Sequence, residues 1–182
     1  MRITSGGALY LGTTSSSFTE LQIISSTSGI SELRFADTTS NSGYIKYDHT
    51  SDYLAFATSA TERMRIGSDG VVTVKNGAVA EIDTLTSATS VTPDFAASCN
   101  FTLTLGHNVT LNNPSNLTAG QSGSIFLIQD GTGSRTLSFG TYWDFAGGTP
   151  PTISTVGGSV DRLDYIVRSS TSIHAVVTLA YS

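Results

Sequence analysis

Short segments with alternating apolar and polar residues, separated by turn-forming clusters, are the feature that most restricts how this chain can fold. Residues 101–105 and 32–35 show the alternation, which in a β-strand places the apolar side chains on one face. The clusters between such segments, as at residues 112–116, are rich in Asn, Ser and Pro. Strands at intervals of roughly 8–12 residues are typical of all-β proteins. Convincing helical spacing of apolar residues is absent, so we predict an all-β fold with little or no helix.

One strand–turn–strand pattern occurs twice in the N-terminal half. Residues 1–11 and 64–74 both begin with Met-Arg-Ile-x-Ser-x-Gly and continue into an alternating segment. Gly adopts positive φ at little cost and Asp69 tolerates it, so each copy is predicted to form a hairpin. A unit that recurs in this way is the signature of repeat architectures, for which two copies are only suggestive.

Residues 62–70, with the pattern E-R-M-R-I-x-S-x-G, resemble the end of a module found in tail-fibre, tailspike and other virion structural proteins of tailed bacteriophages. Residues 33–37, 43–49 and 54–56 are similar to that module's L-x-F-x-D, G-x-I-x-Y-D-H and L-x-F patterns, in the same order. The chain departs from the family at residues 75–77, which read Lys-Asn-Gly where the family usually continues into a Gly-Ile-Gly-Thr turn.

The C-terminal half resembles a second known unit, a β-domain at the C-terminus of phage tail fibres and related virion proteins. The resemblance rests on an alternating run at residues 102–111, an Asp-x-Thr-Gly-x-Arg-Thr hairpin at residues 130–136 and a Trp-x-x-x-Gly-Gly-Thr-x-Pro loop from residue 143. A final pair of strands at residues 162–179 completes it. It implies an all-β domain over about residues 85–182.

These patterns predict a fibre-type β-module at residues 1–75, a joint at residues 76–90 and an antiparallel β-sandwich at residues 91–182. The first module has few large apolar residues, whereas burial must offset an entropy cost of about 1–2 kcal/mol per ordered residue. Association of identical chains would bury its apolar faces and cover strand edges. Since the resemblance also implies homotrimers, we expect an obligate, intertwined homotrimer.

Composition excludes several classes of partner and location. Nine Lys and Arg residues and a net charge of −5 speak against nucleic acid, which requires a clustered basic face. There is neither a membrane-length apolar run nor a secretory signal. The single Cys99 rules out an internal disulfide. Intrinsic disorder is disfavoured because β-branched and aromatic residues recur regularly.

The sequence carries no clear catalytic or metal-binding pattern, so we predict neither an enzyme nor a cofactor. His49, His107 and His174 are far apart, with no second His at metal-ligand spacing. Asp48 and Asp52 flank His49 at a turn, where such residues are common for backbone reasons.

A pair of carboxylates capable of glycoside hydrolysis stays open as an alternative, since the two groups need only converge in space. We expect Asp130 and Asp144 to serve turns instead. Asp161 and Asp164 are expected to form ion pairs with the neighbouring Arg162 and Arg168.

Tyr142 and Trp143 are the candidate binding residues, because aromatic rings offer flat apolar faces with a polar group at one end. They would contact a glycan or protein on the host surface. The alternative for Trp143 is a place in the core of the sandwich or in the trimer contact.

From these features we expect a phage virion structural protein, a trimeric tail-fibre or spike subunit that contributes to host attachment. Two alternatives stay open: a capsid decoration (cement) or head-fibre protein that stabilises the head, and a polysaccharide-degrading tailspike. The expected partners are other copies of the chain, tail, baseplate or major capsid proteins, and a host-surface glycan or protein, without nucleic acid or membrane insertion. The protein would be assembled in the host cytoplasm and exposed on the virion exterior. Because the module starts at residue 1 without a tail anchor, the chain fits either a fragment or distal subunit of a fibre, or a small complete protein.

Overall fold

A computed structural model describes residues 23–36 and 43–181. Within these residues the regular structure consists of fourteen β-strands and one short 3-10 turn at Ala146–Gly148, with no α-helix, so the all-β prediction is confirmed. The chain divides into two compact units, Met1–Ala78 and Val79–Ser182. The first copy of the repeated pattern, residues 1–11, lies outside the described residues.

The described part of the N-terminal unit is one antiparallel sheet whose strands follow chain order. The strands are β1 (Ile30–Phe35), β2 (Gly43–Asp48), β3 (Tyr53–Thr58), β4 (Thr61–Ile66) and β5 (Val72–Val74). The second copy of the repeated pattern forms β4, a turn and β5. Gly70 has a φ of 78° in that turn, and Asp69 accepts a hydrogen bond from the Val71 N–H at 3.0 Å.

The register of this sheet separates apolar from charged side chains. Leu33 lies opposite Ile45, Ile45 opposite Phe56, and Phe56 opposite Met64. We call the surface that these residues share the apolar face; it comprises Leu33, Phe35, Ile45, Tyr47, Leu54, Phe56, Met64, Ile66, Val72 and Val74. The opposite surface, the charged face, carries Glu32, Arg34, Lys46, Asp48, Glu62 and Arg65.

Burial in this sheet is inverted relative to an ordinary domain. Among the described residues of the unit, the buried apolar side chains are those of Ala55 and Ala57, on the charged face, whereas Phe35 and Val72 on the apolar face are 57% and 56% exposed. The expected thinness of this core is therefore observed.

The C-terminal unit contains two sheets. Its strands are β6 (Ile82–Leu85), β7 (Ser90–Val91), β8 (Asn100–Leu105), β9 (Val109–Leu111), β10 (Ser122–Gln129), β11 (Leu137–Phe139), β12 (Trp143–Phe145), β13 (Val160–Ser169) and β14 (Ser172–Tyr181). One sheet has the order β12-β14-β13-β10-β8-β6 and the other the order β11-β9-β7. The strand β6 lies within residues 76–90, the range expected to be a joint, yet its backbone pairs with β8.

From β6 to β11 the chain alternates between the two sheets and adds one parallel strand to each sheet at every pass. Leu85, Leu103 and Leu127 are aligned across β6, β8 and β10, and Val91, Leu111 and Phe139 are aligned across β7, β9 and β11 in the same way. This connectivity is that of a short parallel β-solenoid with three turns.

The C-terminal unit combines the expected antiparallel pairs with parallel pairs that the sequence did not predict. In this unit β10–β13 and β13–β14 are antiparallel, whereas β6–β8, β8–β10, β12–β14 and both pairs of the three-stranded sheet are parallel. The parallel pairs were not predicted because alternation reveals which side chains face the core but not the direction or identity of the neighbouring strand.

The core of the C-terminal unit draws on both sheets and on the loops between them. It is formed by Val91, Phe95, Phe101, Leu103, Leu105, Val109, Leu111, Ile125, Leu127, Trp143, Ile153, Leu163, Tyr165, Val167 and Ile173. This unit therefore has the large buried residues that the N-terminal sheet lacks.

Two buried polar side chains fasten the loop before β13 to this core. Gln129, 3% exposed, donates to the main-chain oxygens of Arg135 and Ser154 at 2.8 Å and accepts from the Arg135 N–H at 2.9 Å. Asp161, 2% exposed, accepts from the Ser154 N–H and hydroxyl at 2.7 Å and from the Ala180 N–H at 2.8 Å. Both side chains hold the same residue, Ser154.

Replacing Asp161 with Ala tests this network. The change leaves the N–H groups of Ser154 and Ala180 and the Ser154 hydroxyl without their buried carboxylate acceptor, and we expect the free energy of unfolding to fall by roughly 2–4 kcal/mol. Urea unfolding followed by fluorescence of Trp143, the single Trp, measures it within this unit. Asp144→Ala is the matched control, since that exposed carboxylate accepts from the Ser172 hydroxyl. Equal, small losses in both variants would contradict the assignment.

Candidate functional site

The outer surface of β12, β13 and β14 forms two adjoining depressions. They measure about 340 and 290 Å³ and share His174 and Ala175. We call them together the outer depression; its lining includes Asp144, Phe145, Asp164, Ile166, His174 and Val176. Strand pairing produces this surface, because Asp144 lies opposite His174, and His174 opposite Ile166.

Polar and apolar groups alternate in the outer depression. Asp144 accepts a hydrogen bond from the Ser172 hydroxyl at 2.6 Å. Asp164 accepts from the Ser124 hydroxyl at 2.6 Å and forms an ion pair with Arg162. Ile166 and Val176 are 50% and 60% exposed beside these carboxylates. The surface can therefore accept hydrogen bonds and offer apolar contact to a ligand at the same time.

The two carboxylates of the outer depression lie on different strands. Asp144 and Asp164 are separated by two strand spacings and one two-residue step, which places their Cα atoms about 12 Å apart. The carboxyl groups of glycoside hydrolases lie about 5–9.5 Å apart. The exposed apolar side chains of Ile166 and Val176 beside these carboxylates favour a contact surface.

The other aspartates of the C-terminal unit serve the fold. Asp130 accepts from the N–H groups of Thr132 and Gly133 at 3.0 and 2.9 Å, as the predicted turn role requires. The Arg135 guanidinium, 2.7 Å away, lowers the pKa of the Asp130 carboxyl, and these N–H groups act in the same direction. The expected ion pair of Asp164 with Arg162 is present.

The ion-pair prediction for Asp161 is wrong. Its side chain points into the unit and is satisfied by Ser154 and Ala180, as described above. The reason is the alternation of β13, in which Asp161 shares the inward-facing parity of Leu163 while Arg162 faces outward with Asp164.

Trp143 is part of the core. Its side chain is 6% exposed, and its indole N–H donates to the main-chain oxygen of Asn112 at 3.0 Å. The ring makes edge contacts with Phe95, Phe139 and Tyr165 at centroid distances of 6.1–6.3 Å. The structure thus gives Trp143 the core position that was the alternative to ligand contact.

Tyr142, the other candidate, is half-buried and packs against the core. Its backbone N–H is held by the Asn113 side chain at 2.8 Å. It retains some exposed surface, and its contact with a receptor stays a prediction.

The sequence analysis did not identify the residues of the outer depression as a group, although the alternation of His174 and Val176 with Ile173 and Ala175 signals which side chains face outward.

Asp48 stabilises the backbone of the turn around His49. Asp48 accepts from the N–H groups of Thr50 and Ser51, and the His49 ring lies 3.0 Å from the Ser31 hydroxyl. Within residues 23–36 and 43–181, no group of three or more His, Cys, Asp or Glu residues is placed to hold a metal ion. Over the same residues, no helix is long and apolar enough to span a membrane.

Burial of Tyr165, whose ring contacts Trp143, makes the stability of the protein depend on pH. Burial raises the pKa of Tyr165, whose hydroxyl donates to the Cys99 main-chain oxygen at 2.7 Å. Because the folded-state pKa lies above the unfolded value of about 10, this contribution to stability is complete below pH 10 and is lost as pH rises above it.

We therefore expect the free energy of unfolding to fall steeply above about pH 10 in the wild-type protein and less steeply in Tyr165→Phe. Urea unfolding followed by circular dichroism at pH values from 8 to about 11.5 measures the slope. Tyr181→Phe, at an exposed position, controls for the loss of one phenol. Parallel curves for wild type and Tyr165→Phe would contradict the prediction.

Comparison with known proteins bears on the C-terminal unit. Residues 91–167 match the model of a family described as "Putative phage tail fibre C-terminal domain". The matched range runs from β7 into β13 and covers most of the solenoid and its core. The resemblance of this part to tail-fibre-type phage proteins is thereby confirmed, and a tail-fibre-like structural role within the virion is supported. No curated protein and no solved structure matches the chain.

Proposed function

We propose that this chain is a structural subunit of a phage tail fibre or tail spike, which acts as a homotrimer on the virion exterior and contributes to host attachment. The observation that carries the proposal is the match of residues 91–167 to a tail-fibre C-terminal domain family. The role is structural: the protein offers a stable all-β framework and contact surfaces, and its aspartates serve hydrogen bonds and ion pairs.

The homotrimer is supported by the N-terminal sheet. A single sheet needs a covered apolar surface to be stable in water. The large apolar side chains of the described part of this sheet are at least partly exposed, whereas cyclic association of identical chains would cover all copies equally. Folding of this unit is then coupled to assembly, and its stability depends on protein concentration.

Host attachment is supported by the outer depression. A surface that binds a glycan or a protein needs both hydrogen-bonding groups and apolar contact. The outer depression provides both, because carboxylate acceptors lie beside exposed apolar side chains. The remaining partners in this proposal are the tail or baseplate proteins that carry the fibre.

The copy number in the virion tests the location. We expect quantitative mass spectrometry of purified particles to give a few tens of copies or fewer, in a multiple of three, with the major capsid protein as the internal standard. Hundreds of copies would make the chain a capsid decoration protein and overturn the tail assignment.

Competition for adsorption tests attachment. Purified protein should slow adsorption of the phage to its host. Val176→Glu, in the outer depression, should weaken this inhibition by about tenfold or more, because it places a second carboxylate opposite Asp164 and an unpaired buried charge opposes binding. Val156→Glu, 73% exposed in a loop, is the matched control, and Tyr142→Phe tests the other candidate contact. No inhibition by the wild-type protein would overturn host attachment. Inhibition that all variants retain would overturn only the assigned surface.

A further inference from the structure

We propose that Asn76, which precedes Gly77, is a site of spontaneous deamidation in the folded protein, where water converts its side chain to an aspartyl or isoaspartyl group. The inference goes beyond the proposed function. It is carried by the contrast between Asn76 and the other described asparagines. Residues 75–77 are also the point at which the chain departs from the fibre-module pattern.

The reaction takes place between two neighbouring groups of the chain. The Gly77 backbone nitrogen loses its proton to hydroxide and attacks Cγ of Asn76, which forms a new C–N bond and a five-membered succinimide ring. The bond between Cγ and Nδ2 then breaks, and Nδ2 takes up a proton and leaves as ammonia. Water opens the ring at either of its carbonyl carbons and gives an aspartyl or an isoaspartyl linkage. The overall change consumes one water and releases one ammonia, without an oxidant or a reductant.

Both reacting groups are accessible in the structure. Among the described residues, neither the Asn76 side chain nor the Gly77 N–H forms a hydrogen bond. Residues 75–80 are all exposed. Gly77 has a φ of 93°, and a Cβ at this position would meet no atom within 4 Å. The attacking nitrogen is therefore shielded neither by a side chain of its own residue nor by a neighbour.

The other described asparagines are held by the fold and precede larger residues. Their side chains each form at least one hydrogen bond of 2.7–3.2 Å; they are Asn100, Asn108, Asn112, Asn113 and Asn116. The residues that follow them are Phe, Val, Asn, Pro and Leu. A held amide cannot turn towards the backbone, and a larger residue crowds the nitrogen that would attack it.

Asp69 and Asp130 also precede glycines, but hydrogen bonds hold both carboxylates in place. Asp69 accepts from the Val71 N–H at 3.0 Å. Asp130 accepts from the Arg135 guanidinium at 2.7 Å. A carboxylate is also a poorer target for attack than an amide. Among the described residues, a following glycine and an unrestrained amide thus coincide at Asn76.

The site lies at the boundary between the two compact units, which end at Ala78 and begin at Val79. Lys75, immediately before it, is held to the N-terminal sheet by a bond from its N–H to the Arg63 main-chain oxygen at 2.8 Å and by an ion pair with Glu62. Deamidation adds a negative charge next to this anchored residue, and the isoaspartyl product also adds a methylene group to the backbone. The connection between the units thereby changes in charge and in length.

Peptide mass spectrometry of the purified full chain tests the site. During incubation at mildly alkaline pH, Asn76 should be converted about tenfold or more faster than Asn108, because a residue without Cβ leaves the attacking nitrogen open. Asn108 is the internal control, since it is also exposed but accepts a hydrogen bond from the Thr136 N–H and precedes Val. Fragmentation by electron transfer distinguishes the aspartyl from the isoaspartyl product.

Two glycine variants test the mechanism. Gly77→Ala should slow conversion of Asn76 by about tenfold or more, because it adds a Cβ beside the attacking nitrogen. Gly120→Ala is the matched control and should leave the rate unchanged, since Gly120 has a similar φ of 90°, equally open surroundings and no preceding Asn.

The comparison of Asn76 with Asn108 uses the wild-type protein, so it decides the site even if Gly77→Ala fails to fold. Equal conversion of the two asparagines, or an Asn76 that stays intact, would overturn the inference. An unchanged rate in folded Gly77→Ala would overturn the attack by the Gly77 nitrogen on which the inference depends.

Discussion

Parallel pairing of β6, β8 and β10 is the interaction on which the C-terminal unit depends. Each pass of the chain satisfies the backbone groups of the strand before it and places one further leucine on the Leu85–Leu103–Leu127 row. The same passes build the second sheet, so backbone pairing and side-chain burial increase together. The antiparallel pair β13–β14 then continues the larger sheet beyond β10, where the depression that we assign to host contact lies.

Within its described residues, the N-terminal unit meets the requirement for backbone pairing but not the requirement for side-chain burial. Its five strands satisfy one another's backbone groups, but the second layer that would cover the apolar face is not found among its described residues. Its charged side chains instead complete the other face by ion pairs and by stacking of Arg65 on Tyr53. One unit thus carries a core within the chain, and the other has the form of half a core. Such a division suits a subunit of a larger assembly.

Buried polar groups set the details that apolar packing leaves free. Gln129 and Asp161 fix the loop that contains Ser154 by hydrogen bonds that few other side chains can make at the same positions. Tyr165 and Trp143 each use one polar atom to bind a main-chain oxygen while their rings fill the core. These bonds explain why Trp143 and Asp161, which the sequence suggested for a ligand contact and an ion pair, are interior.

The sequence alone determined the all-β class, the second-copy hairpin, the turn role of Asp130 and the resemblance of the C-terminal half to phage fibres, because each depends on local patterns of residues. The tertiary structure decided strand direction, the solenoid connectivity, the burial of Trp143 and Asp161, and the outer depression around His174. Alternation assigns a side chain to one of two faces, but only pairing between distant strands determines which face is covered and which residues become neighbours. For the N-terminal sheet, alternation correctly separated the apolar from the charged side chains, and the structure showed that the buried Ala55 and Ala57 lie on the charged face.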